Sequence, residues 1–588
     1  MNDTIPIAGD ENLPENPVLK DTLHNHRHIP ELPLRPHIHP VSNTISRSYP
    51  VGKQSFSRAF QGMELKLSIT SRNPFPEYLD AKLMTTMLSE NGSNWVSVPF
   101  ERIDAYTLMC RIVPEYPGLH SFRAEYQFDN GNIVYRDTVP DAWILIDPPQ
   151  VDGLRMYTFI PTVSGTLNDW KIDLKRIASM GFNALHLLPI TMLDESESPY
   201  AANDLFDIDP SYLTIGSDKD SLQQLEAFIE EAKVLGIRLC FDLVLNHIGV
   251  SSKMVKRAPD WIVPDQNSPD GFQRARYWFN NVWSTWDDLV LINYEHPSEA
   301  ARTEIWSYMI DYALFWAKYA NDTNGFVRFD NLHSSDADFV AALTKALQKE
   351  YPSVAILAEY FTDERTMLDT VPEWGLNLVL AMPWNYKFVP ELREYLKYLH
   401  RVSEHVEYFM PVTSHDCGSP SQEFGGADST VPRYVAAALL GTGATGMPQG
   451  VEYGEQERIN FVGRKPKMEF KGEATFAGFI SKVNNILSTY STFRCGNNCE
   501  FVDNDHLAII AAFRKDDGSQ TLGFLVVCNF DIQSPQHIVL NLNTIIGSPG
   551  PFMYTDLLSE DSKNNLQDEL ELLLPPCSAK VLMFNQDV

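Results

Sequence analysis

The rhythm of hydrophobic positions changes three times along the chain. Over residues 49–150 it alternates: Met63-Glu64-Leu65-Lys66-Leu67-Ser68-Ile69 puts every second side chain on one face, the period of a half-buried strand. Asp129-Asn130-Gly131-Asn132 has the composition of a hairpin turn between strands at 122–128 and 133–135. An antiparallel β-sandwich is the expected outcome. Before it, residues 1–48 are broken by Pro30, Pro33, Pro36 and Pro40, so no regular element is expected there. His24, His26, His28, His37 and His39 fall in this arm. A solvated lead-in is expected rather than a metal site, because no carboxylate or cysteine stands at a set spacing.

Over residues 151–480 short apolar runs alternate with amphipathic helical stretches. A strand is expected at 156–160, then a helix over 169–180 with Trp170, Leu174 and Ile177 on one face. Ala184-Leu185-His186-Leu187-Leu188 is the run of a strand buried on both faces. Leu222, Leu225, Phe228, Ile229, Ala232 and Leu235 mark a second helix, stopped by Gly236, and a strand at 237–244 follows. The alternation recurs at 325–329, 355–358 and 410–413. Repeated β-α units leave a (β/α)8 barrel or a doubly wound sheet. From 481 to 588 strands are expected at 506–513, 521–527, 538–542 and 579–584, with Asp516-Asp517-Gly518 as a turn: a C-terminal antiparallel β domain.

The polar residues choose between the two α/β folds. In a barrel, functional groups collect at the C-terminal ends of several strands. Here Asp242, Asn246 and His247 follow one strand, Arg328 and Asp330 the next, Glu359 a third, His415 and Asp416 a fourth. No glycine-rich phosphate loop opens a helix after the first strand. The expected fold class is α/β, a (β/α)8 barrel flanked by β domains. Residues 248–300 form a long excursion carrying Trp261, Tyr277, Trp278, Phe279, Trp283 and Trp286, either a small subdomain's own core or stacking platforms.

Net charge narrows the partners. The chain of 588 residues carries −30, a field that repels nucleic acid and anionic membranes but not a neutral polyhydroxy substrate. No basic-then-apolar leader is read at the start and no apolar run reaches membrane-spanning length, so a cytoplasmic address is expected. The seven cysteines are odd in number and scattered, which argues against a disulfide framework. Cys495 and Cys499 lack a second pair to complete a zinc site. No metal and no cofactor are expected, and the sequence does not give an oligomeric state.

Three strand-end acids remain: Asp330, Glu359 and Asp416. Retaining cleavage of a glycosidic bond needs a nucleophile and a proton donor about 5–5.5 Å apart, and neighbouring strands lie about 4.7–4.9 Å apart. Arg328 shares a strand face with Asp330, a setting that keeps a carboxylate ionised. Alone, that pair reads equally as a structural ion pair. Glu359 follows Ala355-Ile356-Leu357-Ala358, an apolar setting expected to raise a proton donor's pKa.

Asp242-Leu243-Val244-Leu245-Asn246-His247, the stretch from Gly325 to His333, Glu359 and His415-Asp416 resemble, in order and strand position, the motifs of the α-amylase superfamily, glycoside hydrolase family 13. The resemblance covers roughly residues 155–480. It implies Asp330 as nucleophile, Glu359 as acid/base and Asp416 as transition-state stabiliser. It further implies His247 and His415 on sugar hydroxyls, Arg328 fixing Asp330 with Asp242 behind it, and Tyr200 as the stacking tyrosine. Asp330-Asn331-Leu332-His333-Ser334 departs from the Lys-His of many amylases. It is similar to the glucanotransferase part of glycogen debranching enzymes and to bacterial maltosyltransferases using maltose 1-phosphate. Ser414 replaces an asparagine common before His-Asp. The expected function is a retaining glycosidase or transglycosidase on α-linked glucans, glycogen or maltooligosaccharides. The alternatives are a glucanotransferase or maltosyltransferase with little hydrolysis, and a catalytically silent carbohydrate-binding protein.

Overall fold

Eight parallel strands close into a barrel in a computed structural model of the chain. They are β1 (Arg155–Phe159), β2 (Ala184–Leu187), β3 (Arg238–Val244), β4 (Phe326–Asp330), β5 (Ala355–Ala358), β6 (Leu378–Leu380), β7 (Tyr408–Pro411) and β8 (Ala444–Pro448). The structure describes residues 45–47, 56–71, 74–77, 79–127, 134–136, 141–279, 282–470, 472–496, 498–502, 506–516 and 521–586. The histidine-bearing arm, except 45–47, lies outside these residues. So do the expected turn at 129–132 and positions 517 and 518 of the later one.

Successive strand residues face opposite sides, and this period of two builds the barrel in layers. Met156, Ala184, Cys240, Phe326, Ala355, Leu378, Phe409 and Ala444 form an apolar plug. Two residues further along their strands come Thr158, His186, Asp242 and Arg328, all buried. Asp330 and Glu359 continue the same inward series to the rim. The opposite faces pack on the surrounding helices in one large core that includes Tyr157, Phe241, Val327 and Ile356. Gly325 precedes β4 where a Cβ would collide with the Leu239 carbonyl, so only glycine lets β4 enter beside β3.

The 248–300 excursion folds on itself. His247–Gly249 and Arg274–Phe279 both pair antiparallel with Val282–Leu291. Trp261 packs edge-on against Tyr308 of the helix Glu299–Asn321, and Tyr277 against Trp286. Trp261 docks the excursion on that helix, and the Tyr277–Trp286 pair serves the excursion's own packing. The side chains of Trp278, Phe279 and Trp283 lie outside the description.

Ahead of the barrel stand a four-stranded and a six-stranded sheet packed around Ile69, Leu83, Phe122 and Ile144. One pairing differs from the antiparallel expectation: Phe56–Phe60 runs parallel to Ala142–Asp147. Most of the sandwich lies between these two strands, so no hairpin fixes their direction. After the barrel, a six-stranded antiparallel sheet faces the pair Gln536–Asn541 and Glu569–Leu574 across a core containing Leu525, Ile538 and Leu572. No helix among the described residues is long and apolar enough to cross a membrane.

Candidate active site

Register sets the first contact. Asp242 on β3 and Arg328 on β4 are ladder partners, and parallel neighbours on one face project together. Arg328 Nη1 donates to Asp242 Oδ1 at 2.8 Å and Oδ2 at 2.7 Å, and to Asp330 Oδ1 at 2.9 Å. Its Nη2 lies 2.8 Å from Glu359 Oε2. One buried guanidinium therefore gathers three carboxylates from three adjacent strands. Asp416 lies on the loop after β7, where its backbone N–H donates to Ser414 Oγ at 3.1 Å and His415 Nε2 stands 3.1 Å from its Oδ2.

Glu359 corrects one expectation. Its carboxylate does not sit among the aliphatic side chains that precede it, because inward alternation turns it to the rim. There it meets Arg328 and accepts the Asn331 backbone N–H at 2.8 Å. That N–H is aimed by Asn331's left-handed φ of 46°, a conformation asparagine adopts more readily than most residues. Asp330 corrects another. Burial pushes its pKa well above the carboxylate range; Arg328 opposes this, and Glu359, Asp242 and Asp416 add to it. Asp416 is likewise pushed up by burial, against Arg328 and Arg458. For Asp242, burial is outweighed by Arg328 and His186, which hold it down at about 2. Two guanidinium groups, Arg328 and Arg458, against four carboxylates leave negative charge in surplus, and the site favours retaining a proton.

Tyr200 and His415 come together as a pair. Their rings stack at 6.0 Å with 10° between planes, and the Tyr200 hydroxyl lies 2.6 Å from His415 Nε2 and donates to Asp242 Oδ2 at 3.1 Å. His247 Nδ1 meets Asn246 Oδ1 at 2.6 Å, while its Nε2 is buried without a hydrogen-bond partner. Burial lowers the His247 pKa to about 4, so the ring is neutral at pH 7. His333 Nδ1 and Trp384 Nε1 are also buried and unpartnered. Buried polar atoms are rarely left so; a hydroxyl-rich ligand can satisfy such groups.

Three residues at the site escaped the sequence reading. His186 on β2 lies 3.0 Å from Asp242 Oδ2 and 3.2 Å from Thr158 Oγ1. Its signal was present, a single polar side chain at an inward position of an apolar strand. Arg458 and Phe461 lie on the loop after β8. Arg458 Nη1 donates to the Asp416 carbonyl at 2.9 Å. Phe461 stands edge-on to Tyr200 at 5.8 Å and to His415 at 5.7 Å. No spacing marked that loop. Among the described residues no group of three or more His, Cys, Asp or Glu side chains has the arrangement of a metal site. Neither Cys495 nor Cys499 is part of a disulfide.

The family model of the glycogen debranching enzyme glucanotransferase domain matches residues 148–271. The α-1,4-glucan:maltose-1-phosphate maltosyltransferase of Picrophilus torridus is 24% identical over 422 residues, covering 67% of this chain and 63% of that protein. The protein of the same name from Rhodospirillum rubrum is 23% identical over 463 residues, covering 71% and 64%. The chain thus spans just under two thirds of these relatives. Among solved structures, a maltogenic α-amylase of Thermotoga neapolitana superposes with a TM-score of 0.58 at 20% identity, over 74% of this chain and 98% of that one. An α-amylase of Lactobacillus plantarum gives 0.58 at 19%, over 74% and 99%. The chain has the fold of these amylases, and its sequence is similar to these maltosyltransferases and, over residues 148–271, to the debranching-enzyme glucanotransferase model.

Proposed function

We propose that the protein is a retaining α-glucan-active enzyme that transfers glucosyl or maltosyl segments through a covalent intermediate on Asp330. The observation that carries this is the convergence of Asp330 and Glu359 on the two terminal nitrogens of Arg328, at 2.9 and 2.8 Å, with Asp416 on the neighbouring rim. Asp330, ionised, attacks the anomeric carbon as Glu359 protonates the departing oxygen; the C–O bond breaks and a glycosyl ester forms. Glu359, now a carboxylate, takes the proton of the incoming hydroxyl, whose oxygen replaces Asp330 and restores the starting anomer. Arg328 touches both carboxyls and so fixes the nucleophile and the donor relative to each other. The unpartnered His247 Nε2 and the Tyr200–His415 pair suit hydroxyls of the sugar at the cleavage point. Asp416 favours the oxocarbenium-like transition state.

Transfer is favoured over hydrolysis by the similarity to maltosyltransferases and to the debranching glucanotransferase model. Product chromatography after incubation with maltopentaose, and separately with maltose 1-phosphate plus a glucan acceptor, tests this. Longer as well as shorter oligomers, or chain extension with phosphate release, are expected. Exclusively shorter products would make it a hydrolase, and no turnover of either donor would sink the enzymatic reading.

A further inference from the structure

Arg433 is only 7% exposed, in the first turn of the helix Thr430–Leu439 that packs between the barrel and the C-terminal domain. Its guanidinium carbon lies 3.8 Å from the centre of the Phe424 ring and 5.1 Å from that of Phe530. Nη1 donates to the Tyr386 carbonyl at 2.8 Å, and Nη2 to the Lys387 carbonyl at 2.9 Å. Among the described residues no carboxylate lies within ion-pair distance of this cation. Arg328 and Arg58, by contrast, each meet a buried aspartate. Burial pulls the Arg433 pKa down to about 9, with no anion opposing the shift. The positive end of the helix adds to the imbalance. A buried charge left without a counter-ion is costly.

The guanidinium lines a cavity of about 210 Å³ with Lys387, Glu423, Ser429 and the two phenylalanines. That is several times the ~30 Å³ share of one water, room for a small polyatomic ion. Lys387 Nζ lies 2.8 Å from Glu423 Oε2, while Glu423 Oε1 accepts the Gly418 N–H at 3.1 Å. One carboxylate therefore stands against two cations. Carbonyls take two of the N–H donors of Arg433, and Glu423 takes one from Lys387, leaving five between them. Five donors suit the three free oxygens of a phosphate group better than the two of a carboxylate. At Lys387 and Phe530 the cavity meets a second, of about 600 Å³, where Phe388 is 71% exposed. Asp531 lines this second space, but its oxygens already accept from the Gln533 and Ser534 N–H groups and from Gln536 Nε2. A negative head at Arg433 with a neutral body over Phe530 fits the two together. A polyanionic chain is excluded by the size of the cavity and by the net charge of −30.

We propose that this cavity binds the phosphate group of a small molecule, with Arg433 and Lys387 as its cationic contacts. The site does not depend on the reaction proposed above, since its walls are not the strand ends that carry Asp330 and Glu359. Thermal melting in inorganic phosphate and in glucose 6-phosphate, against chloride at matched ionic strength, is the test. Both are expected to raise the melting temperature by a few degrees at saturation. Tighter binding of glucose 6-phosphate extends the occupant over Phe530, and equal affinities confine it to free phosphate; either result upholds the site. Arg433→Met, which keeps an unbranched side chain between the two rings, is expected to weaken phosphate binding at least about tenfold. Lys387→Met is expected to do the same, the scale of losing a charged hydrogen-bond partner. The Lys387 side chain is 56% exposed, so this variant keeps the test open should Arg433→Met fail to fold. Glu423→Gln removes the one anion and frees Lys387, and is expected to tighten binding several-fold. Glu359→Gln leaves it unchanged. Wild-type protein that phosphate stabilises no more than chloride does would overturn the proposal. So would stabilisation that survives both methionine variants, which puts the anion elsewhere, or acetate as effective as phosphate, which makes the cavity a carboxylate site. Weaker binding by Glu423→Gln would refute the charge balance on which the assignment rests.

Discussion

Two ion-paired arginines, Arg58 from the sandwich and Arg328 from the barrel, stand at opposite ends of the barrel, and their surroundings differ in the anions they meet. At the floor, Arg58 Nη2 donates to Asp147 Oδ1 at 2.8 Å and to the Asn377 carbonyl at 2.5 Å, and its Nη1 reaches the Leu376 carbonyl at 3.4 Å. Asn377 Nδ2 completes Asp147 at 2.8 Å. One cation meets one directly paired anion, and neutral carbonyls take the remaining donors. At the rim, Arg328 meets Asp242, Asp330 and Glu359, with Asp416 beyond. The Arg58–Asp147 pair has its contacts matched and pins the sandwich to the barrel; the rim keeps surplus charge and orphaned donors. Two isolated Arg–Asp pairs would be indistinguishable in a sequence. What separates them is how many further anions the topology delivers.

Substitutions can sharpen that contrast. Glu359→Gln is expected to lower turnover by about 10²–10⁴-fold, the usual scale of a lost general acid. It should leave the melting temperature unchanged or raised, since it relieves a crowd of like charges. A marked fall in melting temperature with turnover kept would make the rim structural. Arg58→Ala should do the opposite, costing about 3–5 kcal/mol of stability by leaving Asp147 buried and uncompensated. Protein that remains folded, assayed well below its melting point, should turn over normally.

The pH dependence offers a finer cut. Asp330 must be ionised to attack, and burial raises its pKa in the free site. The acid limb of kcat/KM should therefore lie above the ordinary carboxylate range. Asp242→Asn removes a neighbouring anion and frees Arg328 for Asp330. Both effects lower the Asp330 pKa, so the acid limb moves to lower pH even as the maximum rate drops. An acid limb that stays in place would separate Asp242 from the nucleophile's ionisation.

The smallest effect belongs to the floor. Glu407, just before β7, accepts from Thr442 Oγ1 at 2.8 Å, and burial pushes its pKa up to about 8. A raised acid stabilises the fold fully below its unfolded value near 4.5 and loses that contribution as pH rises towards 8. Glu407→Gln should melt a few degrees above wild type at pH 8 and with little difference near pH 4.5. Equal melting profiles at both values would mean that Glu407 titrates alike in the folded and unfolded chain.

Strand-end acids were legible because a barrel collects them at one rim, so Asp330, Glu359 and Asp416 could be picked out from order and alternation. β6 and β8 were not. Leu378–Leu380 has only three residues, and Ala444–Pro448 includes Gly446 and Pro448, which read locally as a loop. The neighbouring strands' ladders impose the extended form there. Electrostatics was the weaker inference. The aliphatic run before Glu359 predicted an apolar setting, yet strand alternation turns its carboxylate towards Arg328. His186 stood in view as the one polar side chain of its strand, whereas Arg458 and Phe461 act through contacts across distant loops, which no local window contains.

Asp242 and Arg328 face each other as ladder partners although 86 residues separate them. The excursion and the helix Glu299–Asn321 must fold back before those two strands can zip, the slow kind of closure. A slip of one residue would turn one of the pair out of the barrel. Assembly of the acid cluster is therefore a proofreading step for chain registration, and a refolded molecule that has regained turnover has, by that fact, aligned β3 with β4.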